Sequence, residues 1–476
     1  MEPVNITSTT TASRFQRNKM FRFLLEPAVF LIFFGIYLSA TVFQTHLMQE
    51  TCKNIFKFNS TDCDKLGTEE IESDSTKAIN LVTQPYVAKI FMVKSIMESV
   101  VPAIDSLFVG PWSDKFGRKP VIITGLVGYF LSFTILSVIT LFSLSFVIYP
   151  WYYIIVCLPV LALGGICCLI SGILCYIADV CKQDNLAFRL VTNEASIFLG
   201  SFCGNLLSSY FLSYSSPLCI YITSTLAVFL AILYVIFFVK EGVHSNGRTK
   251  TEMFYGLFDF SLVKEMLSTC FERRANYDRA IIWLTMLSSV ITIFIMEGSG
   301  TVMYLFALEK FNWTITEYTR YDAIAIANLT IGNVFGVYIM QKIFKFSVTT
   351  LALLGIASAV LDSVVKATAT YSWEMYLAMA LGMLRGIAGP MKRAILSHVA
   401  PQHDLGKIMS FTVSLESVST LAAAPLYTFI YTSTIQTYCG AFNFFSTALY
   451  FICYIFISTV YGIQKVNSLS SYETIS

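Results

Sequence analysis

The sequence of 476 residues predicts an all-α membrane protein, with twelve transmembrane helices in two six-helix bundles. Three observations carry that expectation: too few charges to cover a soluble surface, twelve apolar stretches of bilayer length, and a charged connection dividing them six and six. Hydrophobic residues make up 55% of the chain and charged residues 13%, whereas a soluble protein carries roughly a quarter of its residues charged. With a mean hydropathy of +0.66, the chain has lipid as its solvent. Its 40 Phe and 26 Tyr suit helices that face acyl chains and interfaces. This composition excludes a cytosolic enzyme, a nucleic-acid binder and a secreted domain. A formal net charge of +2 implies no polyanionic partner. The 12 Cys show no paired C-x-x-C spacing, so neither a zinc site nor a disulfide scaffold is indicated, and no cofactor is expected.

A bilayer core of ~30 Å takes ~20 apolar residues in helical form. The spans read as 24–47, 84–111, 119–143, 151–177, 189–212, 218–239, 280–306, 319–341, 346–368, 374–396, 407–430 and 435–462. The first 23 residues lack a small-residue cleavage site and do not read as a signal peptide. Arg14, Arg17, Lys19 and Arg22 precede the first span and put the N-terminus in the cytoplasm. Lys115, Arg118 and Lys119, then Lys182 and Arg189, the seven Lys/Arg of 240–279, and Lys342 and Lys345 all fall on that same side. The resulting organisation is a cytoplasmic N-terminus (1–23), an N-terminal bundle (24–239), a cytoplasmic central loop (240–279), a C-terminal bundle (280–462) and a cytoplasmic tail (463–476). Two sequons, Asn59-Ser60-Thr61 and Asn312-Trp313-Thr314, fall on the outer face as glycosylation acceptors, while Asn5-Ile6-Thr7 falls inside. Such halves are repeats of each other in many secondary transporters, with the substrate between them near midplane.

The loop after the second span reads D-S-L-F-V-G-P-W-S-D-K-F-G-R-K-P from Asp105. Gly117 permits a tight turn there, and Gly110 a close helix approach. Asp114 and Arg118 are placed to form a charge-assisted cluster with a neighbouring helix end, locking the cytoplasmic side. Gly110, Asp114, Lys115, Gly117, Arg118 and Lys119 together reproduce G-x-x-x-D-[RK]-x-G-R-[RK], which resembles the signature of the major facilitator superfamily at the position that family has it.

Ionisable groups at bilayer depth are costly, so they pair or line a water-filled path. Lys94, Glu98 and Asp105 share one face of span 2, as a binding surface or as its solvated outer end. Glu194 lies five residues beyond Arg189, hence ~7–8 Å into its helix, where it serves as a proton carrier or as a partner to a buried cation. Glu297 opens the run E-G-S-G, whose glycines weaken span 7 either for binding or as a hinge. Arg385 falls near the middle of span 10, ahead of Pro390, which kinks the segment; Lys392 and Arg393 lie nearer its cytoplasmic end, where an interfacial anchor is the plainer role. Asp362 and Lys366 form a self-neutralising i,i+4 pair in span 9, and Glu416 has no partner that the sequence identifies. Cations of the second half thus hold an anion while carboxyls of the first half carry protons. His46, His244, His398 and His403 read as surface residues.

Several strings are similar to the proton-coupled folate transporter family (solute carrier family 46). They are Glu26-Pro27-Ala28, Gly110-Pro111-Trp112-Ser113-Asp114, Ala178-Asp179-Val180, Phe188-Arg189-Leu190, Glu194-Ala195-Ser196-Ile197 and Arg393-Ala394-x-Leu396-Ser397, with Trp313 also fitting. The resemblance implies proton-coupled transport through Glu194 and Arg393, gated at Asp114 and Arg118. It also marks departures. Phe294, Phe260 or Ser261, and Gly165 stand where folate-carrying members have two histidine positions and an intramembrane Asp. A family cysteine is replaced near Asn312, which removes a cross-bundle disulfide and leaves Cys52 and Cys63 to close a local loop outside. Folate is therefore disfavoured as cargo, and the muropeptide-carrying endolysosomal members fit equally well. The tail, Tyr472-Glu473-Thr474-Ile475, matches a Y-x-x-Φ signal read by sorting adaptors, so plasma membrane and endolysosome both stay open.

These readings converge on a secondary transporter in the lipid bilayer that moves a small organic anion with protons by alternating access. Arg393, Arg385, Glu98 and Lys94 are its expected substrate contacts, and Glu194 and Glu297 its proton sites. A facilitative uniporter and a non-transporting receptor with the same fold are the alternatives. No nucleophile–base pair or metal-ligand set appears at a recognisable spacing, so no enzyme is expected.

Overall fold

Lipid offers backbone amides no partner, so a chain of this composition closes its hydrogen bonds within helices. The computed structural model describes residues 25–64, 66, 74–181, 183–240, 260–274, 277–313 and 315–473, apart from some side chains inside the helices. The first half comprises α1 (Glu26–Asn54), the short α2 (Ser60–Asp64), α3 (Asp74–Phe116), α4 (Arg118–Ser143), a 3-10 segment Pro150–Cys157 leading to α5 (Leu158–Ala162) and α6 (Gly165–Val180), then α7 (Gln183–Tyr214) and α8 (Pro217–Phe238). A loop helix, α9 (Phe260–Phe271), precedes the second half. That half comprises α10 (Asp278–Phe311), α11 (Ile315–Val337) ending in a π turn Tyr338–Ile343, α12 (Val348–Thr368), and α13 (Ser372–Leu381) joined through 3-10 turns Gly382–Ile387 to α14 (Ala388–Val399). It closes with α15 (Gln402–Tyr438) and α16 (Ala441–Glu473). Tyr472 and Glu473 of the tail signal end α16; Thr474 and Ile475 lie outside the described residues.

Among the described residues, nine helical stretches are long and apolar enough to cross a membrane: α1, α4, Pro150–Val180, α8, α10, α11 with its π turn, α12, α15 and α16. The rods α3, α7 and α13–α14 run beside them and carry Lys94, Glu98, Glu194, Arg385 and Arg393. Packing repeats between the halves. Helix α1 packs on α7 and α8, and α4 on α8; likewise α10 packs on α15 and α16, and α12 on α16. The same contacts recur six rods later, the mark of a duplicated bundle. Glycines set the closest approaches: a Cβ at Gly200 would stand 2.6 Å from the Phe30 carbonyl oxygen, and one at Gly204 2.7 Å from that of Phe34. This is the small-xxx-small packing that lets membrane helices touch backbone to backbone.

The two ends of the molecule differ. At the end carrying Arg118, Asp179 and Asp404, here the basic end, one apolar core runs through both halves and takes in Tyr176, Leu186, Met266, Ala394 and Leu405. At the opposite end, which carries the Cys52–Cys63 bond, each half keeps its own core, around Tyr153 and Tyr221 in the first and Trp313 and Tyr427 in the second. The halves are therefore joined at the basic end and separately packed at the other.

Four expectations are corrected. Span 4 is not one helix: Gly164 and Gly165 take φ of 91° and 63° and interrupt it, and a Cβ at Gly165 would stand 2.5 Å from Pro102 Cγ. Span 10 is interrupted ahead of Pro390, which falls in the first turns of α14, where its missing N–H is tolerated. The break comes instead where Ser358 Oγ bonds the backbone of Leu381 and Leu384. Glu297-Gly298-Ser299-Gly300 does not weaken α10, which runs unbroken through it; Gly298 is there for room, since its Cβ would stand 2.2 Å from the Tyr427 ring. His46 is buried, not superficial, and bonds the Tyr153 hydroxyl at 3.0 Å.

A Gly298→Ala substitution is expected to overpack the α10–α15 contact and lower the melting temperature, by a loss of about 1–3 kcal/mol. Gly300→Ala, with nothing within 4 Å of its Cβ, is expected to leave it unchanged. Thermal unfolding of the purified variants checks both.

Candidate functional site

At the basic end the motif residues make a lock within the first half. Gly117 turns the chain between α3 and α4 at φ 121°, a conformation glycine adopts without strain. Arg118, buried, donates from Nε to Asp179 Oδ2 at 2.9 Å and from Nη1 to Ser113 Oγ at 2.5 Å. It thereby ties the start of α4 to the end of α6. Lys119 donates to the Ile236 and Val239 carbonyls at 2.9 and 2.8 Å, capping the C-terminal end of α8, where a cation also suits the helix dipole. Gly110, Asp114 and Lys115 fall in the last turns of α3, and their side chains lie outside the described part. Across the lock, Arg189 of α7 reaches Glu26 of α1 at 3.0 Å.

The second half has its own fastening. Arg274 bonds Asp404 at 2.9 Å, and Glu265 of α9 bonds Lys407 of α15 at 2.7 Å. The α9 helix buries Met266 and Cys270, and burial pushes the Cys270 thiol up to about 12, leaving it protonated and inert. Its first residue, Phe260, stacks edge-on against Phe108 of α3, 5.2 Å between ring centres, so α9 touches both halves.

Further in, small side chains close the seam between α6 and α15. Ser171 Oγ lies 3.4 Å from Ser410 Oγ, Cys175 Sγ 3.8 Å from the Gly406 carbonyl, and Ser417 Oγ 3.0 Å from Cys167 Sγ. Beside this seam, Arg393 of α14 donates from Nη1 to Glu194 Oε1 of α7 at 2.6 Å, across the halves. Its Nη2 lies 3.7 Å from Glu416 Oε2 of α15, in its own half. Lys392, expected as an interfacial anchor, is instead 1% exposed and donates to the Ser288 carbonyl at 3.0 Å and to Thr292 Oγ1 at 2.7 Å. It lies within electrostatic range of Glu416, so two carboxylates are balanced by two cations.

A second charged group belongs to the C-terminal half alone. Asp362 Oδ2 accepts from Lys366 at 2.9 Å and from Arg385 at 2.8 Å. Arg385 remains 37% exposed and lines a small recess with Tyr321, Asn328, Lys366 and Gly382, while Arg393 is only 13% exposed. Asp322, exposed on α11, lies within electrostatic range of Arg385 and Lys366. Glu297, exposed on α10, and Asp322 both lie within range of the Tyr37 hydroxyl of α1, so both look across to the first half.

The structure thus brings together Glu194 and Arg393, and keeps Arg385 apart from them, with Asp362. Lys94 and Glu98 bond each other on α3 at 2.6 Å. Asn59 and Asn312 are exposed, and Cys52 and Cys63 are bonded with their Cα atoms 5.7 Å apart. Thr314 of the second sequon lies outside the described residues. Sequence reasoning missed the Arg393–Glu416 contact, the burial of Lys392 and the place of Asp322. Only Asp322 left a usable signal: it lies seven residues into α11, ~10 Å along it, too deep for an ordinary edge charge.

Replacing Ser171 and Ser410 by cysteine, with Cys167, Cys168 and Cys175 replaced by serine, is expected to give a disulfide across the seam under mild oxidation. Gel mobility of a protease-nicked chain, run with and without reductant, checks it.

The Major Facilitator Superfamily profile matches residues 25–425. The chain is 29% identical over 458 residues, 95% of its length and 88% of the relative's, to a probable peptidoglycan muropeptide transporter, SLC46, of Drosophila melanogaster. It is 22% identical over 461 residues, 95% of each chain, to the proton-coupled folate transporter of Rattus norvegicus. In fold it matches the crystal structure of the human organic anion transporter MFSD10 with a TM-score of 0.66 at 14% identity, covering 91% of this chain and 98% of that one. With its duplicated bundle, its locked basic end and its paired intramembrane charges, the chain belongs to the major facilitator superfamily, a family of membrane transporters and not of enzymes.

Proposed function

We propose that this protein is a proton-coupled symporter of a small organic anion, working by alternating access. The observation that carries the reading is the position of Arg393 between a carboxylate of the opposite half, Glu194, and one of its own half, Glu416. Of these two contacts, only the one to Glu194 crosses between the halves. A proton on Glu194 removes the negative charge that holds Arg393 across the seam and leaves the guanidinium to Glu416. The basic end then loses this ion pair between the halves, and the Ser, Cys and Gly contacts beside it are weak. Glu297, exposed toward the first half, is a second place where a proton is taken up.

Arg385 is the anion contact in this scheme. Of the five N–H donors a guanidinium has, one bonds Asp362, and the side chain stays partly exposed beside the recess. Arg393 is the more buried of the two and already has two carboxylates beside it. Lys94 and Glu98 neutralise each other and take no direct part. Placing Arg14, Arg17, Lys19 and Arg22 in the cytoplasm makes the basic end the inner one, and puts the Cys52–Cys63 bond on an oxidising outer face. The named cargoes of the relatives, muropeptides and folate, both carry carboxylates; the cargo of this chain is read the same way.

The test is uptake of radiolabelled muropeptide and folate into cells expressing the protein, at acidic and neutral outer pH. Wild-type uptake is expected to be faster at acidic pH, and uptake by Glu194→Gln, which mimics the protonated acid, to lose most of that pH dependence. Arg385→Ala is expected to raise KM about tenfold to a hundredfold, the worth of a charge-assisted bond of ~1.5–3 kcal/mol. Uptake in the wild type that ignores pH would leave the uniporter standing in place of the symporter.

A further inference from the structure

We infer that the groove beside the π turn of α11 binds an anionic phospholipid of the surrounding bilayer: an acyl chain fills the groove and the headgroup phosphate meets Lys345. The site is separate from the transport reading, since it requires only a bilayer around the chain.

A π turn widens a helix by one residue and shifts the faces on either side of it, and such turns are frequent at functional sites. In α11 the turn Tyr338–Ile343 does this where the rod reaches the basic end, beside Val337 and Val348 of the shared core. Next to it lies a cavity of 240 Å³ lined by Gly336, Ile339, Met340, Phe344 and Phe346, apolar throughout. A cavity of ~150 Å³ already holds a benzene ring, so this one takes a stretch of hydrocarbon. Gly336 brings the groove onto the 3-10 turns that carry Arg385: a Cβ there would stand 2.8 Å from Leu384 Cδ2 and 3.0 Å from Ile387 Cδ1.

The charge at its rim selects the occupant. Phe344 and Phe346 stack with 5.7 Å between ring centres. Residues two apart on a helix do not face each other. Here Lys345 stands between them at φ 54°, the left-handed conformation that a Cβ disfavours, and both rings turn to the groove. Lys345 is exposed, and among the described residues its ammonium has no hydrogen-bond or ion-pair partner. From Ala323 to Leu361 the sequence holds no Asp, Glu or Arg; its only charges are Lys342, inside the π turn, and Lys345. An apolar slot that ends beside an unmatched positive charge fits a molecule with a hydrocarbon chain and an anionic head, and the bilayer supplies one. A zwitterionic phospholipid fits less well, because it brings its own cation to the lysine.

The test titrates purified full-length protein in detergent with dioleoyl phosphatidylglycerol, or with dioleoyl phosphatidylcholine of the same chains, and reads the first lipid retained by native mass spectrometry. The wild type is expected to hold the anionic lipid about fivefold more tightly or better, the worth of one basic residue near the headgroups. Lys345→Gly, which suits the left-handed backbone, and Lys345→Gln are both expected to lose that preference, and Lys345→Arg to keep it. Ile339→Trp, which fills the groove from an exposed position, is expected to weaken the first anionic lipid about tenfold, as the loss of two buried methylenes would. Equal retention of the two lipids by the wild type, a preference that survives both lysine variants, or an Ile339→Trp variant that binds as the wild type does overturns the inference. So does displacement of phosphatidylglycerol by equimolar oleate, which marks a free fatty acid as the occupant, or a dimer that added lipid dissolves, which marks a second copy of the chain.

Discussion

Everything in this molecule turns on how a charge is tolerated where there is no water to solvate it. An isolated ion in the bilayer costs several kcal/mol even after relaxation, so each must find a counter-charge or an aqueous space. Arg118 meets Asp179, Arg189 meets Glu26, Asp362 meets two cations, and Arg393 meets two carboxylates. The first three are confined to one half and behave as fixtures. Arg393 alone among them reaches across, and it has an alternative acceptor close by. A buried pair whose loss exposes an uncompensated charge is a strong lock, but one with a second carboxylate 3.7 Å away can be released without that penalty. Pairing that stabilises one arrangement of the halves thus also keeps the other within reach.

The seam between the halves follows the same logic in its packing. Its direct contacts between α6 and α15 run through Ser171, Ser410, Cys175, Gly406, Cys167 and Ser417, side chains with little apolar area to bury and only weak sulfur or hydroxyl bonds to lose. Contacts within each half are of another kind, with backbone brought against backbone at Gly200 and Gly204 and large rings sealed around Tyr153 and Tyr427. Each half is packed more tightly than this α6–α15 seam, a contrast that suits rigid-body rocking.

Much of this was legible in the sequence. Apolar runs of bilayer length located the rods, because length and hydropathy are local properties that tertiary structure does not override. The motif around Gly117 and Arg118 was legible because a turn and a helix end are local too. What escaped was partnership: nothing in the sequence places Glu416 beside Arg393, since the two lie on different rods whose rotation is fixed only by packing. Lys392 was read as an anchor on its depth alone, yet the same turn of α14 points it at the Ser288 carbonyl. His46 was read from its place at a span end, but α1 continues to Asn54, so the ring sits inside the bundle. The E-G-S-G run shows the opposite error, a local weakness overruled by a tertiary neighbour, the Tyr427 ring.

The interruptions of the fourth and tenth rods make the last step of the argument. Gly164 and Gly165 break one, and the 3-10 turns Gly382–Ile387 break the other, at corresponding places in the two halves. Paired interruptions of this kind mark a binding site between repeats, because non-helical backbone at membrane depth persists only where protein or water satisfies it. The two breaks are not equivalent in chemistry. The first half's is apolar, with Gly165 pressed on Pro102, whereas the second half's carries Arg385 in its turns and stands against Asp362. The same bend occurs in both halves, and the second half's carries the arginine. In the symport scheme proposed above, the asymmetry divides the work: the second half grips the cargo, and the first supplies, through Glu194, the carboxylate whose proton decides when the grip faces the other side.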